Sequence, residues 1–478
     1  MRITRRTKLI SLIVVLFYVG GIAAAIHAVM TTRTAQGAIA WSVSLVSFPF
    51  VALPAYLVLG RSKFEGITDA YDQSKDEIDV LATEFVHNMK PWAVPGGDHP
   101  SVYQSVRKLA NMELTHGNRA ELLINGDATF ASILEGVAKA KHYVLFQFYM
   151  FHDDQLGRQV QEALIEKAKT GVRVYVLYDE IGSGGLPDSY VEKLRAAGVQ
   201  VSSFKPTQGS RNRFQLNFRN HRKMVVVDGV SAWVGGHNVG DEYMGRDPEF
   251  SPWRDTHVRL DGPVAMQLQA VIVSDWYWAT RQLPELNWQP QAVEGSDVRA
   301  MIVPFSPSSR FETAGLFFVT ALNVAKERIW LSAPYFVPDE AILKALQLAA
   351  LRGVDVRIIT TGKPDSWPVY LAAFRYIGLL RDIGIKFYSY QPGFLHEKVM
   401  LIDDEFSTVG TPNFDNRSFR LNFEVTSLIV DKAFASEMEK MFEQDFVHAV
   451  LIDPGDLDKK SFWWRLGVNA SRLAAPVL

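Results

Sequence analysis

Two long apolar stretches stand near the start of the chain and differ from everything that follows them. Leu9–Met30 is apolar apart from one serine and one histidine, and Ala38–Leu59 is apolar apart from three serines. Each stretch reaches the roughly 20 residues that a helix needs to span the hydrocarbon core of a bilayer. The pattern therefore predicts a two-helix transmembrane hairpin in residues 1–64, with spans at about 9–30 and 38–59.

Basic residues around the two spans predict the orientation of this hairpin. They are Arg2, Arg5, Arg6 and Lys8 before the first span, and Arg61 and Lys63 after the second. The turn between the spans carries only Arg33, so the excess of positive charge predicts that both ends lie in the cytoplasm. The first stretch could instead be a cleaved signal peptide, but the second would still stop transfer and leave the remainder cytoplasmic. Pro49 and Pro54 are expected to kink the second span.

The pattern after the spans changes to a polar segment and then to a repeat. Residues 65–115 are polar, broken by several prolines and glycines, and predict a connector that carries a globular part away from the lipid. From about residue 116, buried runs alternate with amphipathic segments that end at glycine, and the order of segments occurs twice. Three pairs of segments match: Ala140–Tyr149 with Ala325–Tyr335, Leu164–Val174 with Leu346–Val356, and Ala197–Val199 with Ile383–Ile385. Strand–helix–strand order predicts an α/β fold with two halves, 116–290 and 291–478.

Each half leads to the same motif. The first copy begins at His221-Arg-Lys223 and reaches Asp228 after four intervening residues, and the second begins at His396-Glu-Lys398 and reaches Asp403 after the same interval. A glycine follows each aspartate, and an asparagine follows each glycine, at matching distances: Gly235, Gly236 and Asn238 in the first copy, and Gly410 and Asn413 in the second. A lone His-x-Lys at the start of a strand is usually a solvated edge, but two copies that share every spacing indicate a function.

The residue types in the motif suit chemistry on an anion. Residues two apart on a strand point to the same side, so each histidine shares a face with its lysine. A lysine can neutralise phosphate oxygens, while an imidazole can attack phosphorus or transfer a proton near neutral pH. Two such pairs in one cleft would supply the nucleophile and the general acid/base that a two-step displacement requires.

Composition narrows the class of function. The 478 residues contain 50 Lys and Arg against 52 Asp and Glu, so the overall basic excess typical of a nucleic-acid-binding protein is missing. The chain has no cysteine, which excludes disulfides, thiolate metal sites and a cysteine nucleophile. No cluster of carboxylates or histidines suggests a metal, and we expect neither a metal nor another cofactor.

The paired motifs resemble the HKD motifs of the phospholipase D superfamily, and the N-terminal spans make the resemblance to bacterial cardiolipin synthases closer still. The resemblance implies a duplicated phospholipase D-like sandwich, whose two pseudo-symmetric mixed-sheet halves share one active-site cleft. It also implies a bacterial inner-membrane enzyme that makes cardiolipin and glycerol from two phosphatidylglycerol molecules through a phosphatidyl-histidine. By resemblance alone, His221 is the expected nucleophile and His396 the acid/base.

Further residues are expected around the motifs. Family members orient each catalytic histidine with an acid, and this role falls on Asp255 and Glu424. Asp228 and Asp403 are expected to brace the motifs through hydrogen bonds, although the family signature counts them as catalytic. The glycines allow close backbone approach, and Asn238 and Asn413 could donate to phosphate or cap a turn. Three arginines could hold a second phosphate or be ordinary surface residues: Arg219, Arg417 and Arg420.

Other functions remain open from the sequence. A hydrolase of the same superfamily would use water as acceptor, a phosphatidylserine synthase would use a different headgroup, and a scaffold would have lost the chemistry. The membrane spans and neutral charge disfavour a nuclease, and the oligomeric state is unknown. Two apolar segments also stay ambiguous: Pro368–Leu380 is a core helix or a wall for acyl chains, and Ser461–Arg465 is an interfacial anchor or a segment docked on the body.

Overall fold

One large mixed sheet forms the body of the protein, and helices cover it. A computed structural model describes residues 5–61, 63–64, 75–94, 100–208, 214–453, 455 and 458–475. The strands are β1 (Thr115–Ile124), β2 (Tyr143–Phe148), β3 (Arg173–Asp179), β4 (Gln200–Phe204), β5 (Arg219–Asn220), β6 (Met224–Val227), β7 (Ser231–Gly235), β8 (Trp253–Arg254), β9 (Thr256–Asp261), β10 (Val298–Phe305), β11 (Arg328–Ser332), β12 (Phe336–Val337), β13 (Asp355–Thr361), β14 (Lys386–Tyr390), β15 (Phe394–Leu395), β16 (Val399–Ile402), β17 (Phe406–Gly410), β18 (Phe414–Asp415), β19 (Asn422–Val430) and β20 (Ala449–Leu451).

The α-helices precede, connect and follow these strands. They are α1 (Arg5–Thr31), α2 (Ala35–Ser47), α3 (Pro49–Leu59), α4 (Lys75–Met89), α5 (Pro100–Ala110), α6 (Asn125–Lys139), α7 (Gln155–Lys169), α8 (Asp188–Ala196), α9 (Pro263–Thr280), α10 (Thr313–Val324), α11 (Glu340–Leu351), α12 (Trp367–Leu380), α13 (Asn416–Arg420), α14 (Lys432–Val447) and α15 (Phe462–Arg472).

The order of strands in the sheet is the same in both halves. The first half reads β1-β9-β7-β6-β2-β3-β4 from the centre outward, and the second reads β10-β19-β17-β16-β11-β13-β14, with β20 added at its edge. The two halves meet where β1 pairs antiparallel with β10, at Thr115 with Ala300 and Asn118 with Val298. Strands β6 and β16, which follow the two His-x-Lys sequences, are buried along their whole length. The predicted α/β duplication is therefore confirmed.

The connector packs on the body more closely than its polar sequence suggested. Residues 65–74 and 95–99 lie outside the described part of the chain, but α4 and α5 cover most of the rest. On α4 the ring of Phe85 contacts Trp288, and on α5 Tyr103, Val106 and Ala110 are buried in the core of the second half. The apolar spacing on α5 gives it a strip that the sheet buries, so this part of the connector is a packed element of the body.

The first predicted span is a helix, and the second is wrong as a single helix. With 27 residues, α1 is the one helix among the described residues that is long and apolar enough to cross a membrane. The second stretch is interrupted at Phe48, where φ is −133° and ψ is 58°. Pro49 lacks an amide hydrogen and disfavours a helical conformation in the residue before it, so the chain turns between α2 and α3. With 13 and 11 residues, these helices extend only about 20 and 17 Å, less than the roughly 30 Å hydrocarbon core.

The two short helices double back along α1. Helix α2 descends from the turn after α1 until the backbone oxygen of Leu45 lies against Gly21. Helix α3 then rises in the same direction as α1, because Phe50 contacts Phe17 and, further along, Tyr56 lies 2.7 Å from His27. The ends of α1 and α3 therefore lie on the same side. Both reach the body, since Arg33 pairs with Glu312 at 2.9 Å and Phe64 is buried in the core.

The two ambiguous apolar segments both pack on the second half. Most of the apolar side chains of α12 are buried in its core, among them Val369, Tyr376 and Leu380, which supports the interpretation as a core helix. Helix α15 docks onto α12 through Trp464, whose ring centroid lies 5.1 Å from that of Phe374. Other apolar side chains of α15 remain exposed, so docking does not account for the whole segment.

Candidate active site

The histidine of each motif is held by a strand pairing with the opposite half. The two-residue strand β5 precedes His221 and pairs with β19 of the second half, while β15 precedes His396 and pairs with β8 of the first. The pairing continues into the motifs, because the His221 amide donates to the Phe423 oxygen at 2.9 Å and the His396 amide donates to the Arg254 oxygen at 2.8 Å. The backbone of both histidines is thereby fixed at the junction of the halves.

The two supporting acids cross between the halves. Nδ1 of His221 lies 2.9 Å from Oε1 of Glu424, and Nδ1 of His396 lies 2.7 Å from Oδ2 of Asp255. Both carboxylates are completely buried. A proton on each Nδ1 is donated to its carboxylate, so the lone pair of each Nε2 is left for a substrate. The sequence identified both acids, but it did not show that each serves the histidine of the other half.

Neighbouring groups hold the two carboxylates in different ways. Glu424 accepts hydrogen bonds from the Thr411 hydroxyl at 2.6 Å and the Asn422 amide at 3.0 Å. Asp255 accepts from the Thr256 amide at 2.8 Å and lies directly against Gly236, where a β-carbon would be 1.9 Å from its Oδ1. Gly236 thus leaves the space that Asp255 occupies, whereas Thr411 at the matching position of the second motif supplies a donor.

The two lysines lie beside the histidines. Nζ of Lys223 donates to the His221 carbonyl at 2.7 Å, and Nζ of Lys398 donates in the same way to the His396 carbonyl. Each ammonium keeps two further protons for other acceptors. The Tyr149 ring covers the first pair, with its centroid 5.2 Å from Nζ of Lys223 and 4.9 Å from the centroid of His221.

Burial sets the charge state of the site. It lowers the pKa of His221 to about 4 against the opposing effect of Glu424, and it also lowers the pKa of His396, with further lowering by Lys398, Lys223 and His221. Both imidazoles are therefore neutral near pH 7. The two His–Lys pairs also lie close enough for the charges of one pair to shift the pKa values of the other. Burial also lowers the pKa of Lys398 to about 8 and that of Lys223 well below its usual value. An anion entering the site would restore the charged state of these groups.

The two motif aspartates brace the sheet away from the imidazoles. Asp228 accepts from the amides of Lys141, His142 and Tyr143 at 2.7–2.8 Å, where β2 begins. Asp403 accepts from three consecutive amides at the start of β11 in the same way. Both have a positive φ, 53° and 50°. Each lies five residues beyond its lysine, about 16 Å along an extended chain, so these contacts agree with a bracing role.

The asparagines and remaining glycines shape the turns. Asn238 accepts from the Met150 amide at 3.2 Å and donates to the Tyr243 hydroxyl at 2.6 Å, so it joins two loops at the cleft. Asn413 is buried, and its side-chain oxygen has no hydrogen-bond partner among the described residues. A β-carbon at Gly235 or Gly410 would lie 2.4–2.5 Å from β9 or β19, so both positions allow close strand contact.

The three arginines have different surroundings. Arg219 donates to the carbonyls of Leu216 and Phe218, and Arg417 donates to the side chain and carbonyl of Asn217. The two guanidinium groups lie near each other, because burial and then Arg219 lower the pKa of Arg417. In contrast, Arg420 pairs with Glu312 and Asp339, both at 3.2 Å. Because Arg420 is already paired with these two carboxylates, it is not part of the proposed phosphate site.

Sequence reasoning missed the aromatic walls and the buried ion pairs. Trp253 lies 5.2 Å from the His396 ring, in the place that Tyr149 takes beside His221. The residues between His and Lys are also buried: Arg222 pairs with Asp275 at 2.6 Å, and Glu397 pairs with Arg254 at 2.8 Å. Tyr149 ends one of the repeated segments, which could have identified it, but the partners of the ion pairs are remote in sequence.

One group among the described residues has the composition of a metal site. Ligand atoms of His152, Asp154 and Glu242 lie within 4.8 Å of one another. Asp154 already accepts the amides of Gly157 and Asp241, and Glu242 raises the pKa of His152 by accepting its hydrogen bond. Protein partners therefore account for the contacts of this group.

Known proteins resemble both the sequence and the fold. Residues 133–269 and 318–446 match the family described as "Cardiolipin synthase, PLD-like domain". Cardiolipin synthase A of Pseudomonas fluorescens (strain SBW25) is 48% identical over 463 residues, which cover 96% of each chain. Cardiolipin synthase A of Pseudomonas aeruginosa (strain LESB58) is 46% identical over 99% of this chain and 97% of its own.

A solved structure shares the architecture at low sequence identity. The phosphatidylserine synthase of Haemophilus influenzae Rd KW20 aligns with a TM-score of 0.60 and 14% identity, over 79% of this chain and 100% of its own. This likeness supports the duplicated fold. Because the full-length relatives and the matched family agree, the chain belongs to the cardiolipin synthases with a PLD-like domain, which are phosphatidyl transferases.

Proposed function

We propose that the two histidines act in turn on one lipid phosphorus, with two phosphatidylglycerol molecules as substrates. The crossed carboxylates carry the proposal: Glu424 orients His221 and Asp255 orients His396, so both imidazoles expose Nε2 at the junction of the halves. A nucleophile and an acid/base are the two groups that a displacement with a covalent intermediate needs.

In the first step, Nε2 of one histidine bonds to the phosphorus of a phosphatidylglycerol, and the bond from phosphorus to the glycerol oxygen breaks. The other histidine donates a proton to that oxygen, and glycerol leaves. We assign the attack to His221 and the proton transfer to His396 by resemblance to the family. The anionic phosphate favours the protonated form of the acid, which burial otherwise disfavours.

In the second step, a hydroxyl of a second phosphatidylglycerol attacks the phosphatidyl-histidine. His396 takes the proton of this hydroxyl, the phosphorus–nitrogen bond breaks, and cardiolipin is released. Lys223 and Lys398 stabilise the negative charge on the phosphoryl oxygens in both steps. Each ammonium donates one hydrogen bond to the carbonyl of its own histidine, and its two remaining protons can be donated to phosphoryl oxygens, which supports this role.

We propose that Arg219 and Arg417 hold the phosphate of the second lipid. Burial and the proximity of Arg219 lower the pKa of Arg417, and an anion between the two guanidinium groups would relieve their repulsion. Tyr149 links them to the reaction centre, because it lies beside His221 and its own pKa responds to both arginines.

We also propose that the enzyme lies in the bacterial inner membrane and that its catalytic part faces the cytoplasm. Because α2 and α3 are too short to cross the bilayer, α1 is the one proposed crossing among the described residues. Arg33 and Arg61, on the side where α1 and α3 meet the body, support this orientation. Arg5 and Arg6 lie at the opposite end of α1, so the prediction that both ends of the membrane segment share the cytoplasmic side does not agree with this arrangement. The absence of native cysteines permits a direct test with the D188C variant. A membrane-impermeant maleimide should label position 188 only after the inner membrane is permeabilised, and labelling of intact spheroplasts would reverse the orientation.

The product assay tests the proposed reaction. Purified enzyme supplied with phosphatidylglycerol alone should release one glycerol for each cardiolipin formed, and an acid-stable trap should recover phosphorus on a histidine peptide. Phosphatidic acid as the main product would instead indicate a hydrolase. Full turnover by both H221A and H396A would contradict the assigned roles.

A further inference from the structure

Helix α15 is apolar on two opposite faces. Its inward face carries Trp464, which contacts Phe374 of α12 and packs against the core of the second half, and Val468, which is buried. Its outward face carries four large apolar side chains that are 47–83% exposed: Phe462, Trp463, Leu466 and Leu473. At 100° per residue, these four lie within an arc of about 100°. Docking on a protein core requires one apolar face, so the second face needs another partner.

The charged residues within this helix are all basic. Helix α15 contains Arg465 and Arg472 and no acidic residue, and Lys460 immediately precedes its N-cap. The Lys460 ammonium lies 5.8 Å from the centroid of the Trp464 ring. A short helix with exposed aromatic side chains and basic residues has the composition of an element that lies in the interface of an anionic bilayer.

The position of α15 on the body agrees with this partner. Arg420 pairs with both Glu312 and Asp339, at 3.2 Å, and Tyr376 of α12 lies within electrostatic range of Asp339 and of Arg472 on α15. Arg33 is the second residue after α1 and pairs with Glu312 on the body. The ion pairs and the packing of α15 on α12 together connect α15 to the region where the membrane helices join the body.

We propose that α15 is a second membrane contact, whose outward face inserts at the interface of a bilayer that contains anionic phospholipid. The proposal rests on the proposed inner-membrane location, since it uses the bilayer that α1 enters. In this position, α15 and the end of α1 hold the body at two points, which limits its rotation and keeps the catalytic cleft near lipid headgroups.

Spin labels on the full-length enzyme test the depth of α15. The chain lacks cysteine, so W463C carries a single nitroxide, and L351C provides a matched control. Trp463 and Leu351 are 76% and 73% exposed, and Leu351 ends α11 at the end away from Asp339 and Arg33. In liposomes of phosphatidylglycerol and phosphatidylethanolamine, the label at 463 should be accessible to oxygen and protected from a nickel chelate. The label at 351 should show the reverse.

Two results would overturn the proposal. Equal access of the nickel chelate to both labels would show that α15 faces water. Strong coupling between two 463 labels, with protection that persists in detergent, would show that a second copy of the chain covers the face instead. Cardiolipin formation by the labelled protein is measured in parallel, so a water-exposed label on an active enzyme rejects this proposal without affecting the proposed reaction.

A functional variant provides an independent measurement. Replacing Phe462, Trp463 and Leu466 together with serine removes most of the exposed apolar face and leaves Trp464 in its contact with Phe374. Weaker placement at the interface should raise KM for phosphatidylglycerol in vesicles by about tenfold while kcat stays within about twofold. An unchanged KM, with an unchanged melting temperature, would contradict the role of this face.

Discussion

Glu424 lies 2.9 Å from Nδ1 of His221, although 203 positions separate the two residues and they belong to opposite halves of the sheet. Strand β5 makes this contact possible, because it carries the first motif onto β19, and Glu424 follows the paired residues Asn422 and Phe423. The second histidine meets Asp255 in the mirrored way, through the pairing of β15 with β8. The pseudo-twofold axis thus exchanges acids between the motifs.

The charge of Glu424 is expected to matter more than its shape. Glutamine at this position keeps the side-chain length but cannot stabilise an imidazolium, so E424Q should lower kcat by about 10³- to 10⁴-fold. Steady-state formation of cardiolipin measures this effect. E437Q, an exposed position on α14, provides the control and should keep full activity. A loss of less than tenfold in E424Q would show that His221 does not depend on this carboxylate.

Gly236 is expected to protect the position of Asp255. A β-carbon there would lie 1.9 Å from Oδ1, so G236A should displace the carboxylate and lower kcat by about 10²-fold, the usual cost of misplacing a catalytic group by about 1 Å. G185A is the matched control, because a β-carbon at Gly185 would meet nothing within 4 Å. Equal activity of the two variants would contradict the argument.

Asp228 is expected to contribute to stability. Its carboxylate accepts three amides at the start of β2, and asparagine keeps only one accepting oxygen while still tolerating a φ of 53°. D228N should lower the free energy of unfolding by about 1–3 kcal/mol, and chemical denaturation in detergent measures it. The exposed D188N serves as control. Complete loss of turnover at unchanged stability would instead place Asp228 in the reaction.

Acid is expected to destabilise the fold through buried histidines. Burial lowers the pKa of His221 to about 4 and of His237 and His257 to about 3, whereas an unfolded histidine titrates near 6.5. Between about pH 6.5 and 4, the unfolded chain therefore binds more protons, and the free energy of unfolding falls as the pH falls through this window. Denaturation at several pH values measures the slope.

The variant H257N tests the source of this slope. The Nδ1 atoms of His237 and His257 lie 3.0 Å apart, and neither Nε2 has a partner among the described residues. Asparagine cannot titrate, so H257N should show a shallower fall of stability between pH 6.5 and 4 than the parent. An identical slope would assign the effect to other groups.

Much of the fold and of the candidate site could be predicted from the repeat, because the spacings that define it lie within short stretches of the sequence. Matching spacings identified the two motifs, and the acids after them were found on the strands that follow. The crossing of Asp255 and Glu424 could not be predicted, since it depends on which strands pair across the halves. The pairing of Arg420 with Glu312 and Asp339 could not be predicted either, because these residues are 108 and 81 positions away.

The prediction of a second membrane-spanning helix was wrong for a different reason. Apolar length alone predicted a second span at 38–59, and Pro49 was expected only to kink it. In the structure, the chain reverses at Phe48, because α2 and α3 each find a partner in α1: Gly21 admits Leu45, and His27 meets Tyr56. Hydropathy registers the composition of a segment and contains no information about the packing between helices that decides such a reversal.

Because each carboxylate orients the histidine of the opposite half, neither half of the duplicated fold contains a complete histidine–acid pair of its own. If the proposed roles hold, damage to the β8–β9 corner of the first half would disable the histidine of the second, and damage at β19 would disable the histidine of the first. On this view, substitutions that inactivate one half cannot be compensated by the other half. A polypeptide cut between α9 and β10 would have to reassociate to regain turnover.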